Sequence, residues 1–317
     1  MTKAIQRGFK GALSVWQASA WIYAINLLFA LGFAMAFKNI LSEEFANRDV
    51  SARLLEGFDF TFLSDLNYAS LSVSSLMAML GWLVVGYALV SVFLSGGVIA
   101  TLLRGTFSAP DFFADSARYV GRFLALAVLF GLALLAPLIA FSIFLAIGRA
   151  MAESATSEAP LVIWTIVGIA IAFLKGAYFY LVFEVAKFEV VTENASPFRA
   201  FASALKIVTR HLASFYGILF AFLVIVSLIA LLLHALAPEG KSGAGVFALA
   251  LTQQAFVASR AFLRVASIGG LLWNYQDAKP KKELSPSGAQ VSPSLEPTTQ
   301  VAESQSDAEI KAESESK

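Results

Sequence analysis

The chain has no cysteine. Disulfides, thiolate metal sites and a thiol nucleophile are therefore excluded. Histidine is almost as scarce, with His211 and His234 alone, too few and too far apart for a histidine-based metal site. Charge is also sparse. Only 14% of the 317 residues are Asp, Glu, Lys or Arg, where a soluble domain carries about a quarter. The net charge of +1 favours neither acidic nor basic partners, and no basic patch with interleaved aromatics points to nucleic acid. Gly-rich phosphate loops, H-E-x-x-H and G-x-S-x-G are missing as well, so neither soluble catalysis nor a cofactor is expected.

What is present in abundance is apolar side chain. Hydrophobic residues make up 58% of the chain, 28 of them Phe, and mean hydropathy is +0.73. One water-soluble core of this size cannot hide so much, so lipid must be the solvent for much of it. The fold class expected is all-α, a polytopic helical membrane protein of about six transmembrane helices. The spans run over 17–37, 77–103, 123–147, 161–185, 213–236 and 246–273, each near or above the ~20 residues that cross a bilayer. The sixth is the least regular, because Gln253, Gln254, Arg260 and Arg264 interrupt it. Basic residues at the start followed by an apolar run and Ala34-Met35-Ala36 also fit a cleaved signal peptide, but the run is longer than a usual signal core; the segment is read as span one.

Orientation follows from Lys and Arg. Lys3, Arg7 and Lys10 precede span one; Arg104, Arg118 and Arg122 lie between spans two and three; Lys187, Arg199, Lys206 and Arg210 between four and five; Lys279, Lys281 and Lys282 follow six. The opposite loops carry fewer, and the first is acidic. The positive-inside rule places both termini in the cytoplasm of a multi-pass inner-membrane protein. Residues 276–317 are rich in Ser, Pro, Glu, Lys and Gln and read as a disordered cytoplasmic tail.

Three amphipathic segments precede spans one, three and five. Ile5, Phe9, Leu13 and Trp16 oppose Lys3, Arg7, Lys10 and Ser14. Phe113, Ala117, Val120 and Leu124 oppose Asp111, Asp115, Arg118 and Arg122. Phe198, Phe201, Leu205, Val208 and Leu212 oppose Arg199, Ser203, Lys206 and Arg210. Steps of three and four mark one face of a helix. Phe113-Ala114, Arg118, Val120 and Arg122 also match Phe201-Ala202, Lys206, Val208 and Arg210 at identical spacing. Within a transmembrane domain of 1–275, a threefold repeat over 1–105, 109–190 and 196–275 follows, each copy an interfacial helix and a hairpin of spans. Lys3, Arg7, Lys10, Arg118, Arg122, Arg199, Lys206 and Arg210 are expected to face lipid headgroups, anionic lipid among them.

Residues 193–210, ENASPFRAFASALKIVTR, resemble a segment of the membrane domain found beside bacterial glycerophosphodiester phosphodiesterases and of related multi-pass bacterial families. Glu193, Ser196, Ala200, Ser203 and Arg210 carry the likeness. The resemblance implies a bacterial membrane domain and not a phosphodiesterase, and it carries no catalytic residue over.

Ionisable side chains inside spans are costly, ~2.5–3.5 kcal/mol at a helix centre, and usually face a cavity or a partner. Lys175 and Glu184 lie on span four; Gln253, Arg260 and Arg264 lie on span six, the arginines four apart on one face. Three arrangements follow. One is a polar site between spans four and six, where guanidinium forks meet a phosphate or carboxylate. Another has Glu184 paired with Arg264 as a lock, while Arg260 and Lys175 snorkel; in the third, span six is partly an interfacial helix and its arginines are not buried. Gly96-Gly97 and Gly269-Gly270 read as close helix packing.

Three functions remain. The first is a non-enzymatic protein of envelope or lipid maintenance, or a scaffold for membrane-protein partners. The second is a small transporter or lipid translocator working through the polar site, and the third a membrane anchor for a separately encoded soluble enzyme. Arginines lining a water-filled cavity favour the second; arginines capped by Glu184 favour the first.

Overall fold

The computed structural model describes residues 2–44, 70–154, 157–236 and 243–279. Among them run nine helices: α1 (Thr2–Ser14), α2 (Trp16–Glu44), α3 (Ser70–Arg104), α4 (Ala109–Ala133), α5 (Leu135–Ser154), α6 (Ala159–Glu193), α7 (Pro197–Arg210), α8 (Leu212–Ala235) and α9 (Gly243–Ala278). No strand occurs among the described residues. Six helical stretches are long and apolar enough to cross a membrane: Trp16–Met35, Ala78–Arg104, Ala109–Glu153, Ala159–Glu193, Leu212–Ala235 and Gly245–Ala278. The protein is an all-α, polytopic membrane protein. The tail expected from Gln276 lies, from residue 280 onward, outside the described residues; before that point α9 continues through Ala278.

Local chemistry explains the breaks. Gly105 ends α3 and Asn194 ends α6, both at positive φ (73° and 55°), where glycine is free and asparagine tolerated. Pro110 and Pro197 open α4 and α7 in the first turn, where no amide donor is required. Pro137 cannot donate to the Ala133 carbonyl, which accounts for the interruption at Leu134. Helical bonding nevertheless passes through it, Leu134 N donating to Phe130 O (2.9 Å) and Leu138 N to Leu134 O (3.3 Å). Here the structure departs from expectation. Before spans one and five the amphipathic segment is a separate helix, but Asp111–Arg122 is the first half of α4 and runs unbroken into its span. The resulting rod of 45 residues is about 68 Å long at 1.5 Å per residue, more than twice the hydrocarbon thickness.

The spans pair as hairpins α2–α3, α5–α6 and α8–α9, and the three returning helices α3, α6 and α9 touch one another at the centre. Each amphipathic segment packs on the C-terminal half of a returning helix: the start of α4 on α3, α7 on α6, and α1 on α9. The contacts are made by small residues. Ala4, Gly8 and Ala12 are buried on α1, Ala200 and Ala204 on α7. A Cβ added at Gly8 would lie 2.4 Å from the Ala266 carbonyl oxygen and 2.6 Å from the Gly270 nitrogen; one at Gly97 would lie 2.5 Å from the Phe112 carbonyl oxygen. Backbones therefore touch at these crossings, as the glycine pairs lead one to expect.

Ion pairs fasten the same end. Lys279, just past α9, pairs with Glu189 (3.6 Å) and with Glu193, both on α6. Ser203 of α7 donates to Glu189 (3.2 Å). Arg104 pairs with Asp115 (2.9 Å) across the α3–α4 turn, Arg7 with Asp277 (3.6 Å), and Arg122 donates to Asn194. We call this the closed end. Toward the other end the hairpins present apolar surface outward, with Trp82, Val84, Ile163, Ile166, Leu228 and Phe247 all more than half exposed.

Candidate functional site

Just inside the closed end, α3, α6 and α9 surround a cavity of about 950 Å³, flanked by α2, α4 and α8. Its polar lining comes mainly from the three central helices: Tyr87, Ser91 and Ser95 on α3, Tyr180, Glu184 and Lys187 on α6, Arg260, Arg264 and Ser267 on α9; Asn26 on α2 and Ser227 on α8 add to it. Helical spacing brings each set to one face, since residues three, four and seven apart lie close in angle.

The floor is buried. Glu184 and Lys187 are 4% and 3% exposed, and Ser95 is 5% exposed. Lys187 donates to Glu184 Oε1 at 2.7 Å, and its ammonium lies 4.7 Å from the centre of the Phe183 ring. Glu184 Oε2 is buried without a hydrogen-bond partner. Above the floor Arg264 spans from α9 to α3, donating to Ser91 Oγ and to Tyr87 Oη (3.4 Å). Arg260, one turn farther from the closed end, is exposed at the rim and makes no hydrogen bond or ion pair with a described residue.

Three cations thus line the cavity against one carboxylate among the described residues, a formal surplus of two positive charges. Two such charges in a partly enclosed space repel each other unless an anion enters, and guanidinium groups suit a phosphate or carboxylate through paired donors. Arg264 uses both terminal nitrogens on hydroxyls but keeps further N–H groups for a ligand.

The sequence candidates are therefore divided. Glu184, Arg260 and Arg264 come together in one cavity. Lys175 does not: it is exposed and, nine residues from Glu184, lies about 180° around α6. Gln253 is exposed and outside the lining; its neighbour Gln254 accepts a hydrogen bond from Tyr23 Oη at 3.0 Å. The lock expected between Glu184 and Arg264 is replaced by the Glu184–Lys187 pair, because Lys187 lies one turn away on the same helix. That corrects the placement of Lys187, expected in the loop between spans four and five but buried inside α6. Tyr87, Ser91, Ser95, Tyr180 and Ser267 were not singled out from sequence; isolated hydroxyls in apolar spans carry no signal of their own.

Of the cations expected at headgroups, Lys3, Arg7, Lys10, Arg118, Arg199, Lys206 and Arg210 are exposed, while Arg122 is partly covered at its contact with Asn194. Comparison with protein-family models, with curated proteins and with solved structures found no match.

Proposed function

We propose that the chain is a non-enzymatic membrane transporter or translocator that holds an anion at the centre of its helical bundle. One observation carries this reading: Lys187, Arg260 and Arg264 converge on one cavity, and Glu184 neutralises Lys187 and not the arginines. Among the functions left open by the sequence, this geometry favours the transporter over the scaffold. Arginines capped by a carboxylate would have favoured the scaffold.

The closed end is assigned to the cytoplasm, because Arg104, Arg118, Arg122, Arg199, Lys206 and Arg210 gather on the elements that form it and basic residues stay on the cytoplasmic side. A multi-pass protein of the inner membrane with both termini inside follows. The circular packing of α1 on α9, α4 on α3 and α7 on α6 supports a chain built of three copies of one unit. The residues that resemble the membrane domain beside glycerophosphodiester phosphodiesterases serve as scaffold in this arrangement. Glu193 meets Lys279, Ser203 donates to Glu189, and Ala200 is buried against α6.

The test is transport by the full-length protein in sealed vesicles. Two probes are followed, radiolabelled inorganic phosphate and a fluorescent phosphatidylglycerol whose exposure to an outside quencher reports transbilayer movement. At least one should move faster than in protein-free vesicles. The double variant Arg260→Leu, Arg264→Leu should lose that movement while inserting and purifying normally. A double variant with wild-type rates, or a wild-type protein that moves neither probe, refutes the reading.

A further inference from the structure

The anion-site reading leaves the ligand's class open, and the shape of the cavity narrows it. The walls are not uniformly polar. The floor beside the closed end is polar and buried, whereas the α8 wall consists of Leu219, Phe222, Leu223 and Val226, with Ser227 as its single hydroxyl. Phe222 is buried on the floor side and Leu223 is 48% exposed at the rim. A site for a free inorganic anion needs polar groups around the whole ion, together with a wet path to it. Here one half of the space offers hydrocarbon and, apart from the Ser227 hydroxyl, nothing to hold an ion.

The path points the same way. Toward the closed end the helices are held together by the backbone contacts of Gly8 on Gly269 and Gly270 and by the Lys279 pairs with Glu189 and Glu193. At the rim, Leu223 stands midway along α8, a helix of 24 residues with mean hydropathy 2.9. Beyond it Val224, Leu228, Leu231 and Leu232 are exposed along the same helix. About 18 Å of helix, at 1.5 Å per residue and apolar but for Ser227 and the terminal His234, thus separates the rim from the far end of α8. α6 and α8 touch only sparingly along their length, with Tyr216 Oη donating to the Leu174 carbonyl (2.6 Å), and exposed Leu223 leaves the rim open to the hydrocarbon of the bilayer. A hydrated ion has no favourable route along such a surface, but an acyl chain does.

We propose that the cavity holds one anionic phospholipid. Its headgroup phosphate lies between Arg260 and Arg264, with Lys187 supplying charge at the floor. Its chains run along Leu219, Leu223 and Val226 toward the middle of the membrane. The head points to the closed end, which under the orientation assigned above is how a lipid of the cytoplasmic leaflet already stands. The proposal rests on the anion-site reading and goes beyond it in naming the ligand's chemistry.

The experiment uses the full-length protein reconstituted into vesicles of phosphatidylcholine containing one-tenth phosphatidylglycerol, then extracted and purified. Retained lipid is measured by mass spectrometry, and binding of inorganic phosphate to the same preparation is measured by equilibrium dialysis. The expected result is about one phosphatidylglycerol per chain, enriched at least tenfold over the vesicle ratio, as a difference of about 1.4 kcal/mol produces, and not displaced by inorganic phosphate. Arg260→Gln with Arg264→Gln should return retention to the vesicle ratio. Leu223→Trp, which fills the apolar rim, should lower lipid retention without lowering phosphate binding. Elution as a single symmetric species identifies the folded variants, and the wild-type enrichment decides the matter even where a variant misfolds. Phosphate binding without lipid enrichment overturns the lipid assignment and leaves the anion site standing. Absence of both overturns the anion site too.

Discussion

Replacing Gly8 by Ala puts the central crossing of the fold to a quantitative test. The new methyl group would sit 2.4 Å from the Ala266 carbonyl oxygen, 2.6 Å from the Gly270 nitrogen and 2.9 Å from the Gly270 Cα. All three are backbone atoms, so no side chain can rotate away. To reach an ordinary separation of 3.4 Å, α1 must rise from α9 by about 1.0 Å. Overpacking of this kind costs about 1–3 kcal/mol, and the absence of any movable neighbour puts this site in the upper part of that range. Alanine returns about 0.5–1 kcal/mol through its better helix preference. A net loss of about 1–2 kcal/mol remains. The measurement is the unfolding midpoint of purified protein in one detergent, beside two controls. Gly11→Ala meets only the end of the Leu102 side chain at 3.4 Å, and Gly32→Ala meets nothing within 4 Å; both should be neutral or slightly stabilising. If Gly8→Ala is as stable as Gly11→Ala, α1 does not lie on α9 as described.

Removing Lys187 as Lys187→Met leaves Glu184 buried and unpaired, so stability should fall by about 3–5 kcal/mol; adding Glu184→Gln should restore most of it in a thermal double-mutant cycle. Lys175→Leu, on the outer face of the same helix, should change stability by less than about 0.5 kcal/mol and leave phosphatidylglycerol movement in vesicles at the wild-type rate. Lys279→Ala deprives the buried Glu189 of its cation and should cost about 1.5–3 kcal/mol. Arg7→Ala, whose pair with Asp277 is at least half exposed on both sides, should cost no more than about 1 kcal/mol by the same melting assay.

Span count was legible because a run of twenty apolar residues announces itself regardless of its neighbours. The pairing of Arg260 with Arg264 was legible too, since a step of four fixes a shared face. Other parts were hidden for physical reasons. Lys187 looked like a loop residue because the apolar run falters at Glu184, yet Phe188, Val190 and Val191 carry the helix on. Burial of its charge depends on a partner one turn away and on helices far off in the chain. Lys175 was misplaced for want of an angular count: nine residues turn a helix half around. The contributions of Tyr87, Ser91 and Ser95 depend on which face of α3 turns inward, and a helix apolar on all sides gives no such cue. The fusion of the second amphipathic segment with its span was equally silent, because periodicity describes a face and not the direction in which a helix continues.

The partnership of α1 with α9 has a consequence for how the protein is made. The first helix leaves the ribosome about 260 residues before the glycine pair it packs against. At ~5–20 residues per second that is an interval of roughly 13–50 s. Throughout it, the small-residue face of Ala4, Gly8 and Ala12 has no mate, and the membrane surface is the obvious place for such a helix to wait. Maturation therefore ends with the two extremities of the bundle meeting. A chain interrupted before Gly269 would leave that junction unmade, offering quality-control proteases an unclasped N-terminus to find.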